Sequence, residues 1–212
     1  MATASETQRI PNNVDIQGDL TVRGTLPTIQ RSGLQQENFA SYSVDLVNLR
    51  VWDAFQTALG TAASDDLGVA TGTFGTGLPY VSTGDLKAAG ATTRRARFVF
   101  QLPAEYVAGE SVRITANAGM VTTVADTSCT LDFEAYKSNR DTTKTGSDLV
   151  TTSATTINSL TFAAKDFDIT ATSLSPGDIL DVRVSIACTD AATVTAVIGA
   201  LADLQMKLDI KG

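Results

Sequence analysis

Strict alternation of apolar and polar residues recurs along the second half of this chain, and it restricts the fold more than any other feature. In the stretch 112–118 the apolar set is Val112, Ile114, Ala116 and Ala118, with Arg113, Thr115 and Asn117 between them. Residues 129–136 repeat the pattern, with Cys129, Leu131, Phe133 and Ala135 against Thr130, Asp132, Glu134 and Tyr136. Leu180, Val182, Val184 and Ile186 do so again after the turn Pro176-Gly177-Asp178. A period of two places alternate side chains on opposite faces of a strand, so each stretch predicts a strand with one face in a core.

The remaining segments are less regular. Val44, Leu46, Val51 and Trp52 suggest a first strand or a strand running into a turn, and residues 66–75 read as a strand broken by glycine. Residues 79–93 read as a long surface connection. Phe98, Phe100 and Leu102 form a strand closed by Pro103; Ile157, Leu160, Phe162, Phe167 and Ile169 supply further inward positions. At the end Val194, Ala196 and Ile198 lead to a bend at Gly199 and then to Leu204, Met206, Leu208 and Ile210. The pattern therefore predicts about eight strands after residue 66 and no sustained helical stripe. The 31 threonines suit half-exposed sheet faces. The expected fold is all-β, an antiparallel jelly-roll-like β-sandwich, with other Greek-key sandwiches still open.

Charge and chemistry narrow the function. Sixteen Lys and Arg stand against 23 Asp and Glu, a net charge of −7, which disfavours a nucleic-acid or anionic-membrane partner. Arg94, Arg95 and Arg97 read as a solvated strand entry. No stretch approaches the roughly 20 apolar residues of a membrane span, and the opening residues lack the apolar core of a signal peptide, so synthesis in a cytoplasm and solubility there are expected. Cys129 and Cys188 each fall on an apolar strand face and read as buried thiols, a bridge requiring a geometry that spacing does not supply.

The chain has no histidine. That removes the commonest general base, the histidine-dependent triads and the usual zinc ligands. Neither a phosphate loop nor a nucleophile elbow is present. Carboxylates are what remain: Asp132 with Glu134 and Asp166 with Asp168 lie two apart on strand faces, while Asp65, Asp66 and Asp178 fall in turns. A carboxylate pair could serve a glycosidase, but outward acids on strands are ordinarily solvated, and no calcium-loop pattern occurs. Tyr42, Trp52, Tyr80, Tyr106 and Tyr136 are too dispersed for a sugar platform. The expectation is a protein without enzymatic activity, metal or other cofactor.

Residues 1–41 differ from the rest and read as an extended N-terminal arm ahead of a sandwich domain at 42–212. Within the arm, residues 14–19 and 20–25 form two hexads, VDIQGD and LTVRGT, apolar at the first and third places and glycine at the fifth. So short a ribbon cannot bury its apolar face alone. Val14, Ile16, Leu20, Val22 and the following Leu26 are therefore candidate assembly residues, sheltered by another subunit through strand addition or folded back on the chain's own body as an edge hairpin.

The segment NVDIQGDLTVRGTL resembles the ribbons near the start of virion proteins of tailed bacteriophages, especially trimeric fibre and appendage subunits, and LSPGDILDVRVSI is similar to the penultimate strand region of viral jelly rolls. The resemblance implies a structural virion protein. Its small size and two hexads favour a capsid decoration or cement protein, a homotrimer on the outer capsid surface that binds the major capsid protein and clamps neighbouring capsomers. A receptor-binding head of a tail appendage, with loop 137–148 contacting host glycans, is the rival expectation.

Overall fold

The computed structural model describes residues 39–191 and 195–211. The ribbon residues Val14, Ile16, Leu20, Val22 and Leu26, and Val194, lie outside the described residues. The chain divides between Gln36 and Glu37.

Eleven strands occur among the described residues: β1 (Phe39–Ser43), β2 (Gly68–Ala70), β3 (Tyr80–Ser82), β4 (Gly90–Gln101), β5 (Val112–Met120), β6 (Ser128–Ser138), β7 (Lys144–Thr145), β8 (Thr155–Thr156), β9 (Ala163–Ile169), β10 (Ile179–Asp190) and β11 (Gly199–Asp209). The division at 41/42 read from the sequence falls inside β1. All the strand pairings are antiparallel. One sheet runs β2-β3-β11-β5-β9, with β1 also on β11; the other runs β4-β10-β6-β7, with β8 also on β6.

The pairings nest. β1 pairs with β11, β4 with β10, β5 with β9, and β6 with β7 and β8. Folding one long antiparallel ribbon in half gives those pairs, and rolling it brings β11 beside β5 and β10 beside β6. That is a jelly roll. In the first pair Phe39 faces Asp209, so the start of β1 and the end of β11 share one end of the sandwich.

The predicted inward faces meet between the sheets. Leu180, Val182, Val184 and Ile186 are fully buried, as are Leu131, Ile114, Leu204, Met206 and Leu208. Phe133 from one sheet meets Phe167 from the other edge to face, with centroids 4.8 Å apart. Thr115, read as outward, is nevertheless buried, with its hydroxyl donating to Asp166 at 2.6 Å.

Several expectations are corrected. Cys129 and Cys188 are direct cross-strand partners on β6 and β10 and form a disulfide, with Cα atoms 4.1 Å apart; nothing in their separation of 59 residues announces that register. The stretch 79–93 is no surface connection, because it contains β3 and the start of β4, and Val81, Thr83 and Leu86 are buried. Leu160 is exposed, since it lies in the turn between β8 and β9. In the last segment the inward residues are Val197, Ala200 and Leu201 ahead of Leu204, not Ala196 and Ile198. A bulge between Leu201 and Asp203 inserts one residue, which reverses the facing of everything before it.

The outer edge of β4 is covered. Arg50 and Arg97 exchange both backbone hydrogen bonds (2.8 and 3.0 Å), and residues 65–67 bond to both backbone groups of Arg95. Segment 49–67 thus blunts an edge that would otherwise invite pairing. Among the described residues β1 pairs with β11 alone.

Candidate functional site

A cluster of charged and aromatic side chains lies on the outer face of the β4-β10-β6 sheet. Register places Arg97, Arg183 and Glu134 in one cross-strand row, Val99, Asp181 and Tyr136 in the row on one side, and Arg95, Ser185 and Asp132 in the row on the other. Alternation forces these residues outward, because Ala96, Phe98, Val182, Val184, Phe133 and Ala135 take the inward positions.

Trp52, carried by the segment that covers β4, lies on this face. Its Nε1 donates to Asp65 Oδ2 at 2.9 Å, and the guanidinium groups of Arg95 and Arg183 lie 5.4 and 5.6 Å from its ring centroid. Arg97 donates from Nε to Asp181 Oδ1 at 2.6 Å and from Nη2 to Oδ2, a two-point contact, and sits 5.2 Å from the Phe55 centroid. That carboxylate contact raises the Arg97 pKa and fixes its charge. Arg183 pairs with Glu134. Arg94 is on the opposite, inward face of β4, where its Nη1 donates to the carbonyl of Thr83. The arginines are therefore half-buried and engaged by the chain's own groups in mid-strand, not a solvated strand entry.

The carboxylate candidates divide in the same way. Glu134 is occupied by Arg183, while burial, with Glu134 and Asp148 adding to it, pushes the Asp132 carboxyl above its ordinary value. Asp166 and Asp168, on the other sheet, both contact Arg113, at 3.4 and 2.7 Å. Asp66 is raised by burial and by its neighbours Asp65 and Asp53. Asp178 anchors a turn: burial opposes its charge, but a hydrogen bond from Lys137 and one from the Ser175 N–H outweigh that, and the net shift is downward. Among the described residues no group of three or more Cys, Asp or Glu is arranged to hold a metal ion.

The aromatics do not converge. Tyr106 is fully buried, and its hydroxyl donates to the Glu110 carbonyl at 2.6 Å; burial pushes it up to about 12. Tyr42 meets Phe100 between the sheets, and Tyr136 lies under the Lys144 ammonium at 3.0 Å. Arg183 and Phe55 escaped the sequence reading; alternation in β10 marked Arg183 as outward, whereas nothing local marked Phe55. A shallow depression of about 500 Å³ at the end of the sandwich is lined by Leu102, Pro103, Ala104, Pro176 and Lys211 and holds no convergent set of chemical groups.

No family model matches the chain, and no curated protein matches it. Solved structures with similar folds include the CBM22-1 xylan-binding domain of Paenibacillus barcinonensis Xyn10C, at 14% identity and a TM-score of 0.37, covering 69% of this chain and 83% of that one. The family 30 carbohydrate-binding module of a cellulosomal cellulase of Clostridium thermocellum aligns at 12% identity and a TM-score of 0.40, covering 79% and 96%. A chain of infectious bursal disease virus, Gx strain, aligns at 12% identity and a TM-score of 0.31 over 72% of this chain; this chain spans 38% of its length.

Proposed function

We propose that this protein is a structural virion subunit, a capsid decoration or cement protein of a tailed bacteriophage that assembles as a homotrimer on the outside of the head, binds the major capsid protein and holds neighbouring capsomers together. The observation that carries the reading is the position of β1. The strand that follows the ribbon in the chain is an edge strand, paired on one side among the described residues. An edge strand leads naturally to a segment whose apolar face is completed by a neighbour through main-chain pairing. The body supports the same role by what its charged groups do: Arg97, Arg183, Glu134, Asp181 and Asp178 are engaged with one another or with turns. We assign it no catalytic step, no cofactor, and neither nucleic acid nor membrane as partner.

The test is removal of residues 1–36, a cut that spares β1. The shortened protein should keep the thermal transition of the parent to within a few degrees, yet no longer sediment with phage heads that lack the subunit, or no longer form trimers in light scattering. Unchanged behaviour in both assays would refute the role of the ribbon.

A further inference from the structure

The loop between β2 and β3 presents apolar side chains that none of the described residues covers. Phe74 is fully exposed (103%), Leu78 is 84% exposed, and every residue from 71 to 79 is exposed. Yet the loop has a held shape. The carbonyl of Thr73 accepts hydrogen bonds from the N–H groups of Thr76 and Gly77 at 3.0 and 2.8 Å. At its neck Gly72 has φ +64°, and a side chain there would meet the Leu78 carbonyl at 2.8 Å. A preformed tip loses little freedom on docking.

Register brings the end of β1 and the start of β3 to the same part of β11. Val44 donates to the Leu204 carbonyl and Val81 faces Leu201, so the chain leaves β1 and enters β3 at one gap along β11. Val47, just after β1, and Leu78, just before β3, are 57% and 84% exposed.

Charge selects the occupant. Residues 67–84 contain no Asp, Glu, Lys or Arg, the longest such run in a chain of net charge −7. A nucleic acid or an anionic lipid surface would be met by cations, and the loop has none. Around a cyclic symmetry axis each residue meets its own copies, so a charge there repels itself while an apolar tip gains cover. We infer that the Phe74 loops of neighbouring copies pack against one another at the axis of a cyclic homo-oligomer. This deepens the trimer reading above and rests on it for the symmetry.

The experiment uses the full chain. Sedimentation equilibrium of the parent and of a Phe74→Ser/Leu78→Ser double variant should show the variant folded, with the same thermal transition, and its self-association weakened at least tenfold. A Thr73→Cys variant, in which the native cysteines stay paired, should give a covalent dimer on mild oxidation. An oligomer that survives F74S/L78S, or associated T73C protein that fails to cross-link, would overturn the loop contact alone, leaving an arm-driven trimer intact if removal of residues 1–36 still dissolves it. A parent that stays monomeric at 100 µM would sink the trimer itself. Binding of a monomeric parent to phosphatidylcholine vesicles, lost in F74S/L78S, would overturn the inference in favour of lipid.

Discussion

Gly199 shows how much one hydrogen atom can matter in a core between two sheets. It opens β11 directly over the disulfide, and an added Cβ would stand 2.9 Å from Cys129 Sγ and 3.0 Å from Ile186 Cγ2. Close packing leaves nowhere for that methyl to go, so Gly199→Ala should destabilise the body by about 1–3 kcal/mol. Urea titration would show a lower midpoint with an unchanged slope. In the sequence this glycine reads as a bend; its reason is a neighbour far away in the chain, which no local pattern carries. Asp190 is a second residue of this kind. Its buried carboxylate accepts the N–H groups of Ala88 (2.9 Å) and Asp126 (3.1 Å), which hold its pKa below the ordinary 3.8. A depressed folded pKa gives stability that is complete above the ordinary value and is lost as pH falls through the folded one; Asp178 and Asp85 act in the same direction. The melting temperature should therefore fall steeply below about pH 4. Asp190→Asn should lower it at pH 7 and flatten the acid limb; an unaltered acid limb would count against this carboxylate as its source.

At the scale of elements, the pairing of β6 with β10 determines more than either strand does alone. It sets Cys129 opposite Cys188 and so converts two apolar-face cysteines into a bridge. Closing a loop of that size restricts the unfolded chain, and removing the bridge by Cys129→Ala with Cys188→Ala should cost about 2–4 kcal/mol, read from denaturant midpoints under non-reducing conditions. Strands such as β5, β6 and β10 were legible because each buries one face and exposes the other, a condition written in every second residue. β3 was not: it is three residues long, and its pairing with β11 depends on residues more than a hundred positions away. The bulge in β11 was illegible for a related reason, since an extra residue on one strand is defined only against its partner β5. The outward face divided similarly. Alternation placed Asp132 and Glu134 outside, but that Glu134 pairs with Arg183, and that Arg183 lies against Trp52, follows from strand order.

For the whole molecule, nesting is the dominant fact. The outermost pair joins residues 39–43 to 205–209, and inside it 81–82 join 200–201 and 90–101 join 179–190. Such contacts require closing long loops before they return any stabilisation, so refolding of the disulfide-intact body should proceed on the millisecond-to-second scale. Stopped-flow fluorescence of Trp52 would check this, and completion within microseconds would contradict the pairing order. The antiparallel sandwich was readable from composition and alternation, whereas the order of its strands was not, because every alternating strand fits every other until register selects the partners.

The meeting of Phe39 with Asp209 has a practical side. In a chain shortened to begin at β1, a peptide or reporter fused just ahead of Phe39 would emerge at the same pole as the end of β11, where it would crowd any neighbour approaching β1. A foreign epitope is better carried at the opposite pole, in the loop between β5 and β6 ahead of Ala125, whose N–H and carbonyl are held by Asn158, leaving the entrance to β1 clear.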